Sequence, residues 1–467
     1  MSQQPSEKPE VAPAVQETQD ANNELPPQDR GRKAYLFLFA VSILEITTWG
    51  WSYCYGVFRD YFFQHEPFKG QQLVSVGGML ANGCLQLTLP VVIYLLNSRP
   101  KYRRPTMWAG AFICGISVII GAFMTNVAGL IIFLGATYGI GAGMIYGPAM
   151  HYLAHWFVAK KSLAYGIICG VGAAGGAALP PVYTVLLNRW GAKVSLIAIG
   201  IATILVTSLA LCFVHPRTPV QSAPKPSLAD FRFFRQPIFV IFFASTVIQA
   251  LAHFAPSAYL PSIGRDMGLN TTEGALLISF LNLAQAIGQP LIGLLTDYRQ
   301  SVFLSFSICT AGGSLCALLI WGFARHFWSL LLFALAYGCT AGGFAVLRPR
   351  FAQVVLRQDA LKHESSEAVS SDSTSEEEHD RILGQETFIF GILTASRGIS
   401  VTASGFITAA LVDTKSTDLS GYGLGTKWRK VIIFTGATML LSLTGVFGRF
   451  LCVAHYDEEN DSATYRK

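Results

Sequence analysis

The chain has 467 residues, of which 52% are hydrophobic and only 13% charged, with a formal net charge of +6 and a pI of about 8.8. A soluble domain of this size would carry about 25% charged residues, so the composition excludes an ordinary soluble protein and points to the bilayer. The positive excess lies in short loops rather than on one basic face, which argues against nucleic acid as a partner.

Residues 1–33 are polar and rich in Gln, Glu and Pro, with no apolar core. They read as a disordered tail without a cleavable signal peptide, leaving the first apolar stretch to direct insertion. Twelve apolar stretches follow, at 34–58, 71–96, 106–125, 128–152, 163–187, 194–214, 237–260, 272–296, 302–323, 328–347, 387–412 and 430–452. Each is near the roughly 20 residues that span ~30 Å of hydrocarbon. They group into an N-terminal half (34–214) and a C-terminal half (237–452). A linker at 215–236 carries Pro216, Pro219, Pro224 and Pro226, and a tail at 453–467 closes the chain. With both termini cytoplasmic, the inner segments hold about 23 Lys and Arg and the outer ones about 10, as the positive-inside rule requires. The cysteines fall mostly within apolar stretches, with no CxxC pair and no metal-ligand spacing, so no metal or other cofactor is expected.

The halves repeat. Tyr138-Gly139-Ile140-Gly141-Ala142-Gly143 in the fourth stretch matches Tyr337-Gly338-Cys339-Thr340-Ala341-Gly342 in the tenth, about 199 residues on. Tyr165-Gly166-Ile167-Ile168 matches Phe390-Gly391-Ile392-Leu393 at an offset of about 225, so the second half has gained about 26 residues before its fifth helix. The gained segment, 359–384, is acidic and Ser-rich and cannot build a packed core. Ser373, Thr374 and Ser375 each have Glu three residues on, a pattern that acidophilic kinases accept; a kinase partner and an unmodified solvated loop are the two readings. Asn270-Thr271-Thr272 is a glycosylation sequon on the predicted outer side, in a short loop.

Charges inside the bilayer are costly and often mark function. Glu45 lies about 12 residues past Lys33, roughly 18 Å along the first helix, and Arg397 about 11 past Glu386, roughly 16 Å along the eleventh. Both fall near the midplane with opposite sign. Arg397 suits a carboxylate of the substrate through its planar fork. Glu45 is its counter-charge or a site coupling transport to H⁺. A fixed Glu45–Arg397 pair is the structural alternative. His253 is a further ionisable candidate, or a packed histidine. Gln285 and Gln289 share one face of the eighth helix and either line the cavity or join helices. Trp49 and Tyr53, with Trp51 and Tyr55, form an aromatic wall for a flat substrate or an interfacial belt. Pro148, in the glycine-rich fourth helix, is a candidate hinge. His151 and His155 have metal-ligand spacing but no third ligand, and no clustered nucleophiles suggest an enzyme.

Gly293-Leu294-Leu295-Thr296-Asp297-Tyr298-Arg299 resembles the inner-loop signature of the major facilitator superfamily. By that resemblance Asp297 and Arg299 act in gating. Four further stretches resemble the fungal branch of the monocarboxylate porter family: Leu44-Glu45 with Trp49-Gly50 and Gly56-Val57-Phe58; His155-Trp156-Phe157-Val158-Ala159-Lys160-Lys161-Ser162-Leu163-Ala164-Tyr165-Gly166; Leu187-Asn188-Arg189-Trp190-Gly191; and Ala395-Ser396-Arg397-Gly398. The resemblance implies an all-α polytopic membrane protein, twelve transmembrane helices in two six-helix pseudo-symmetric halves, monomeric. It implies a secondary or facilitative carrier of a small organic anion or secondary metabolite, working by alternating access at a midplane site. Animal proton–lactate carriers of this family use a Lys on the first helix and an Asp/Arg pair on the eighth. Tyr53, Gln285 and Gln289 stand at those places here, so lactate–proton symport is not expected. A non-transporting nutrient sensor on the same fold is the alternative. The plasma membrane is the expected location, with the vacuolar membrane second.

Overall fold

The computed structural model describes residues 26–217, 228–299, 301–364 and 375–451, except 414, 415, 417 and 419. Among the described residues twelve long helices pack together: α1 (Arg32–Gln64), α2 (Val76–Asn97), α3 (Arg103–Gly121), α4 (Val127–Trp156), α5 (161–190), α6 (192–211), α7 (Pro237–Asp266), α8 (Thr271–Arg299), α9 (Val302–Trp321), α10 (327–364), α11 (Ser375–Leu411) and α12 (Gly425–Phe447). Among the described residues ten continuous helices are long and apolar enough to cross a membrane; the 51-residue one among them breaks at Gly191 into α5 and α6. Gly191 sits at φ 72°, a left-handed turn that only glycine adopts cheaply, so one residue replaces the loop expected at 188–193. α11 is the twelfth span, made more polar than the others by Arg397 and its serines and threonines.

Three helix starts show why the chain turns where it does. Asn126 Oδ1 accepts from Gly129 N–H at 2.6 Å and starts α4. Asn270 Oδ1 accepts from Glu273 N–H while Glu273 Oε2 accepts from Asn270 N–H, both at 2.8 Å, a capping box at the head of α8. His326 and Ser329 form the matching box on α10.

The sequence repeat is a packing repeat. A Cβ on Gly139 of α4 would lie 2.4 Å from the Ala81 carbonyl oxygen of α2, and one on Gly338 of α10 would lie 2.5 Å from the Leu281 carbonyl of α8. The same glycine thus seats the fourth helix of each half on the second, at backbone contact distance. The halves meet along α5–α8 and α2–α11. There Gly166 and Gly170 lie against the Gln289 and Ala286 carbonyls, and Gly293 against Ser162.

Two boundaries differ from expectation. The tenth helix does not stop at 347 but tightens through Gly342–Leu347 and continues as Arg348–Glu364. Pro349 sits in the first turn of that continuation, where its missing N–H leaves no bond unmade. The eleventh helix begins at Ser375, so both ends of the 359–384 insertion extend helices, and Leu383 is buried. Ser373 and Thr374 lie outside the described residues.

Candidate functional site

Glu45, Trp49 and Tyr53 recur every fourth residue and so share one face of α1. That face meets α5: Gly172 leaves room for the Glu45 side chain and Gly176 for Tyr53. Glu45 is 3% exposed, and its Oε2 has no hydrogen-bond partner among the described residues. The Trp49 indole stands edge-on to Tyr146 of α4, centroids 5.8 Å apart, with its N–H unmatched. Trp51 and Tyr55 turn the other way, into the N-terminal half. Trp51 Nε1 donates to the Leu134 carbonyl at 3.0 Å, and the Tyr55 hydroxyl to the Val74 carbonyl at 3.0 Å.

Across the divide, α11 presents Arg397, 2% exposed. Its Nη1 donates to Gln249 Oε1 of α7 at 2.6 Å, and its guanidinium lies 5.5 Å from the centre of the Phe254 ring. Because Gln249 accepts through Oε1, its Nε2 donates to His253 Nδ1 at 3.2 Å, which assigns the neutral tautomer protonated on Nε2. The Tyr337 hydroxyl donates to the His253 carbonyl at 3.2 Å. The structure therefore brings Arg397, Gln249 and His253 into one hydrogen-bonded row. Among the described residues no carboxylate lies within ion-pair distance of Arg397, and the Glu45–Arg397 pair left open by the sequence does not form.

Arg348 was missed by sequence reasoning. It is 2% exposed, and its Nη1 donates to Thr394 Oγ1 of α11 at 2.9 Å. Its Nη2 crosses to the N-terminal half and donates to the Tyr165 hydroxyl at 3.1 Å; Nε donates to the Ala345 carbonyl at 3.1 Å. Tyr165 in turn bonds Tyr146 at 2.9 Å. A signal existed: the 199-residue offset carries Arg348 onto Ala149, inside the fourth predicted helix.

Gln285 and Gln289 are buried against α10 instead. Gln289 Nε2 donates to the Gly342 carbonyl at 3.3 Å, and Gln285 packs on the same glycine. Asn282 Nδ2 reaches across the halves to the Gly176 carbonyl at 3.3 Å.

On the face that carries both described chain ends, the halves are joined. Asp297 accepts from the Ser162 and Leu163 N–H groups at 3.2 and 2.7 Å, capping α5 from the other half. Lys161 pairs with Glu386, both largely buried. Asn97 Nδ2 donates to the Gly384 carbonyl at 3.1 Å. Asp29 receives the N–H groups of Val158, Ala159 and Lys160 at 2.9 to 3.1 Å, holding the α4–α5 turn. Arg299 is exposed on the last turn of α8, and Pro148 is buried in α4. His151 and His155 touch through their Nε2 atoms at 3.1 Å, and no cluster of three metal-ligating side chains occurs among the described residues. Asn270 is exposed on the opposite face.

The geometry is that of two helical halves closed over a buried polar layer, and comparison with known proteins gives the same assignment. The sequence profile described as Major Facilitator Superfamily matches residues 71–360. The chain is 23% identical over 353 residues to the MFS transporter asaE of Aspergillus flavus, covering 74% of this chain and 77% of that one. It is 26% identical over 286 residues to monocarboxylate transporter 2 of Homo sapiens (54% and 58%) and 24% identical over 336 residues to the agnestins efflux protein AgnL12 of Paecilomyces divaricatus (70% and 75%). Among solved structures, the nucleoside transporter NupG superposes with a TM-score of 0.59 at 13% identity, and the human organic anion transporter MFSD10 with 0.60 at 14%. Each covers 89% of this chain and 100% of its own. The chain belongs to the Major Facilitator Superfamily, as a membrane transporter whose relatives include monocarboxylate porters.

Proposed function

We propose that this transporter carries a small organic anion, with Arg397 as the group that holds the substrate carboxylate. One observation carries the reading: a buried guanidinium, between the halves, makes a single protein hydrogen bond among the described residues, and that bond is to a neutral acceptor. An unpaired buried cation is destabilising by several kcal/mol. Function is the reason such a residue persists in a bilayer. Glu45, equally buried on the facing half, is the proposed proton-coupling group. Trp49, Tyr53 and His253 complete the wall, and Gln285 and Gln289 hold α8 to α10 beside it.

The halves rock about this layer by alternating access. Asp297 and the Lys161–Glu386 pair close one side, which the positive-inside bias makes the cytoplasmic one. Efflux of an organic metabolite is the direction that the AgnL12 relative favours. Glycosylation at Asn270 and phosphorylation at Ser373, Thr374 and Ser375 by a kinase belong to the same reading, as does residence in the plasma or vacuolar membrane.

The test is transport in proteoliposomes. A panel of radiolabelled carboxylates should enter wild-type vesicles faster than protein-free ones. Arg397→Ala should lose at least tenfold in rate, the scale of one charge-assisted hydrogen bond, with reconstitution unchanged. Wild-type flux in Arg397→Ala ends the proposal.

A further inference from the structure

The linker between the halves ends in a structured strap. Residues Leu228–Arg235 form a short 3-10 helix that leads into α7. Such a helix has three residues per turn, so residues three apart stand in one row. Phe231-Arg232-Phe233-Phe234-Arg235 therefore makes three rows of different chemistry. Phe233, 4% exposed, faces the protein and packs on Phe239 of α7 and Phe388 of α11, ring centres 4.9 and 6.2 Å away. Phe231 and Phe234 form the second row, their rings 6.4 Å apart and within 10° of parallel. Phe231 is half-buried and Phe234 exposed. Arg232 and Arg235 form the third row, and both are exposed.

The strap lies over the line where the halves meet. The Phe231 ring is 6.2 Å from Tyr94 of α2 and 5.7 Å from Phe388 of α11, and Tyr94 and Phe388 are 6.0 Å apart. Tyr94 comes shortly before Asn97 on α2, and Phe388 shortly after Gly384 on α11. The three rings thus sit about one helical turn deeper than the Asn97–Gly384 bond. From there the surface of α2 is apolar: Leu87, Val91 and Leu95 recur every fourth residue and are exposed. In a chain that spans a bilayer such a stripe faces acyl chains, and this one ends beside Tyr94 and the strap. Aromatic rings favour the depth of the headgroups, and arginines there reach toward phosphates. The positive-inside bias makes this the cytoplasmic leaflet, which is the anionic one.

We propose that the strap is a docking surface for an anionic phospholipid of that leaflet, with the headgroup on Arg232 and Arg235 and the acyl chains on Phe234 and the Leu87–Leu95 stripe. A lipid held there pins Phe231 between Tyr94 and Phe388, so the charge of the leaflet favours the arrangement in which this face is closed. The exposed row selects the lipid. It is cationic, and a zwitterionic headgroup would bring its own cation against it. One arginine near an anionic surface is worth roughly fivefold in affinity, so the pair supplies about tenfold or more.

The experiment needs no transported substrate. Purified protein is titrated with phosphatidylserine or phosphatidylcholine of identical chains and followed by native mass spectrometry. The wild type should bind phosphatidylserine about tenfold more tightly than phosphatidylcholine, and Arg232→Gln/Arg235→Gln should bring the two within about twofold. Arg30→Gln/Lys160→Gln, which removes two exposed cations elsewhere on the same face, should keep the preference. In phosphatidylserine nanodiscs, amide exchange in the peptides over Asn97 and Gly384 should be slower than in phosphatidylcholine nanodiscs, for the wild type and not for the strap variant. Equal affinity of the wild type for the two lipids overturns the inference, whether or not any variant folds. An equal loss of preference in Arg30→Gln/Lys160→Gln makes it a property of overall surface charge and overturns the inference as well. Exchange rates that ignore the lipid remove the pinning of the seam, and the inference with it. A dimer that dissociates in the strap variant gives the surface to a second copy of this chain and also overturns it.

Discussion

Arg397 and Arg348 differ in how the sequence announces them. Arg397 stands alone in an apolar stretch, eleven residues past the last charged residue before it, so its depth is simple arithmetic. Arg348 stands beside Pro349 and Arg350, and the residue before a proline is usually pushed out of helical geometry, so it resembles a loop start. The structure resolves the conflict by beginning a new helical segment at Arg348 with the proline in its first turn. Pairings were equally illegible. Helical depth placed Glu45 and Arg397 at one level, but azimuth decides contact, and azimuth turns Arg397 onto Gln249 of its own half. Glu45→Gln is the residue-scale test of proton coupling. If Glu45 carries the proton, uptake by the variant should continue while its dependence on external pH flattens, as read from initial rates between pH 5 and 8. An unchanged pH profile removes Glu45 from that role.

At the scale of elements, small residues set what can slide. The repeated Tyr-Gly motif was legible as a repeat, and its three-dimensional meaning is a fixed seam within each half, α4 on α2 and α10 on α8. The seam between halves depends on similar close approaches but must open. Gly293 of α8 lies there, and a Cβ on it would come 2.3 Å from the Ser162 carbonyl oxygen, at the point where Asp297 caps α5. Backbone cannot yield at that distance, so Gly293→Val should hold this side apart. The expected result is transport reduced at least tenfold and faster maleimide labelling of Cys169, one turn beyond Tyr165 and 8% exposed in the closed arrangement. Peptide-resolved mass spectrometry measures the labelling. Cys169 as protected as in wild type would show that α5 and α8 do not part there. The Lys161–Glu386 pair and the Asn97–Gly384 bond on the α2–α11 side were not legible, because they depend on where α11 begins, and the insertion displaces that start.

For the whole molecule, composition and the twelve apolar stretches already dictated the class: too little charge for a soluble chain, and two sets of six spans. What the sequence could not show is which side of the layer is closed. The bonds of Asp297, Lys161 and Asn97 close the face bearing the described chain ends, so substrate exchange at that face requires all three to break. The central claim is that an anion on Arg397 drives this exchange. It is tested most directly by electron–electron double resonance between spin labels at Arg99 and Tyr298, exposed positions on the two halves at the closed face, paired with labels at Asn188 and Thr272 on the opposite face. Adding a carboxylate that the wild type transports should redistribute the two distances in opposite directions in the wild type and leave Arg397→Ala unmoved. The same redistribution in Arg397→Ala, or none in a wild type that transports the probe, would contradict the account.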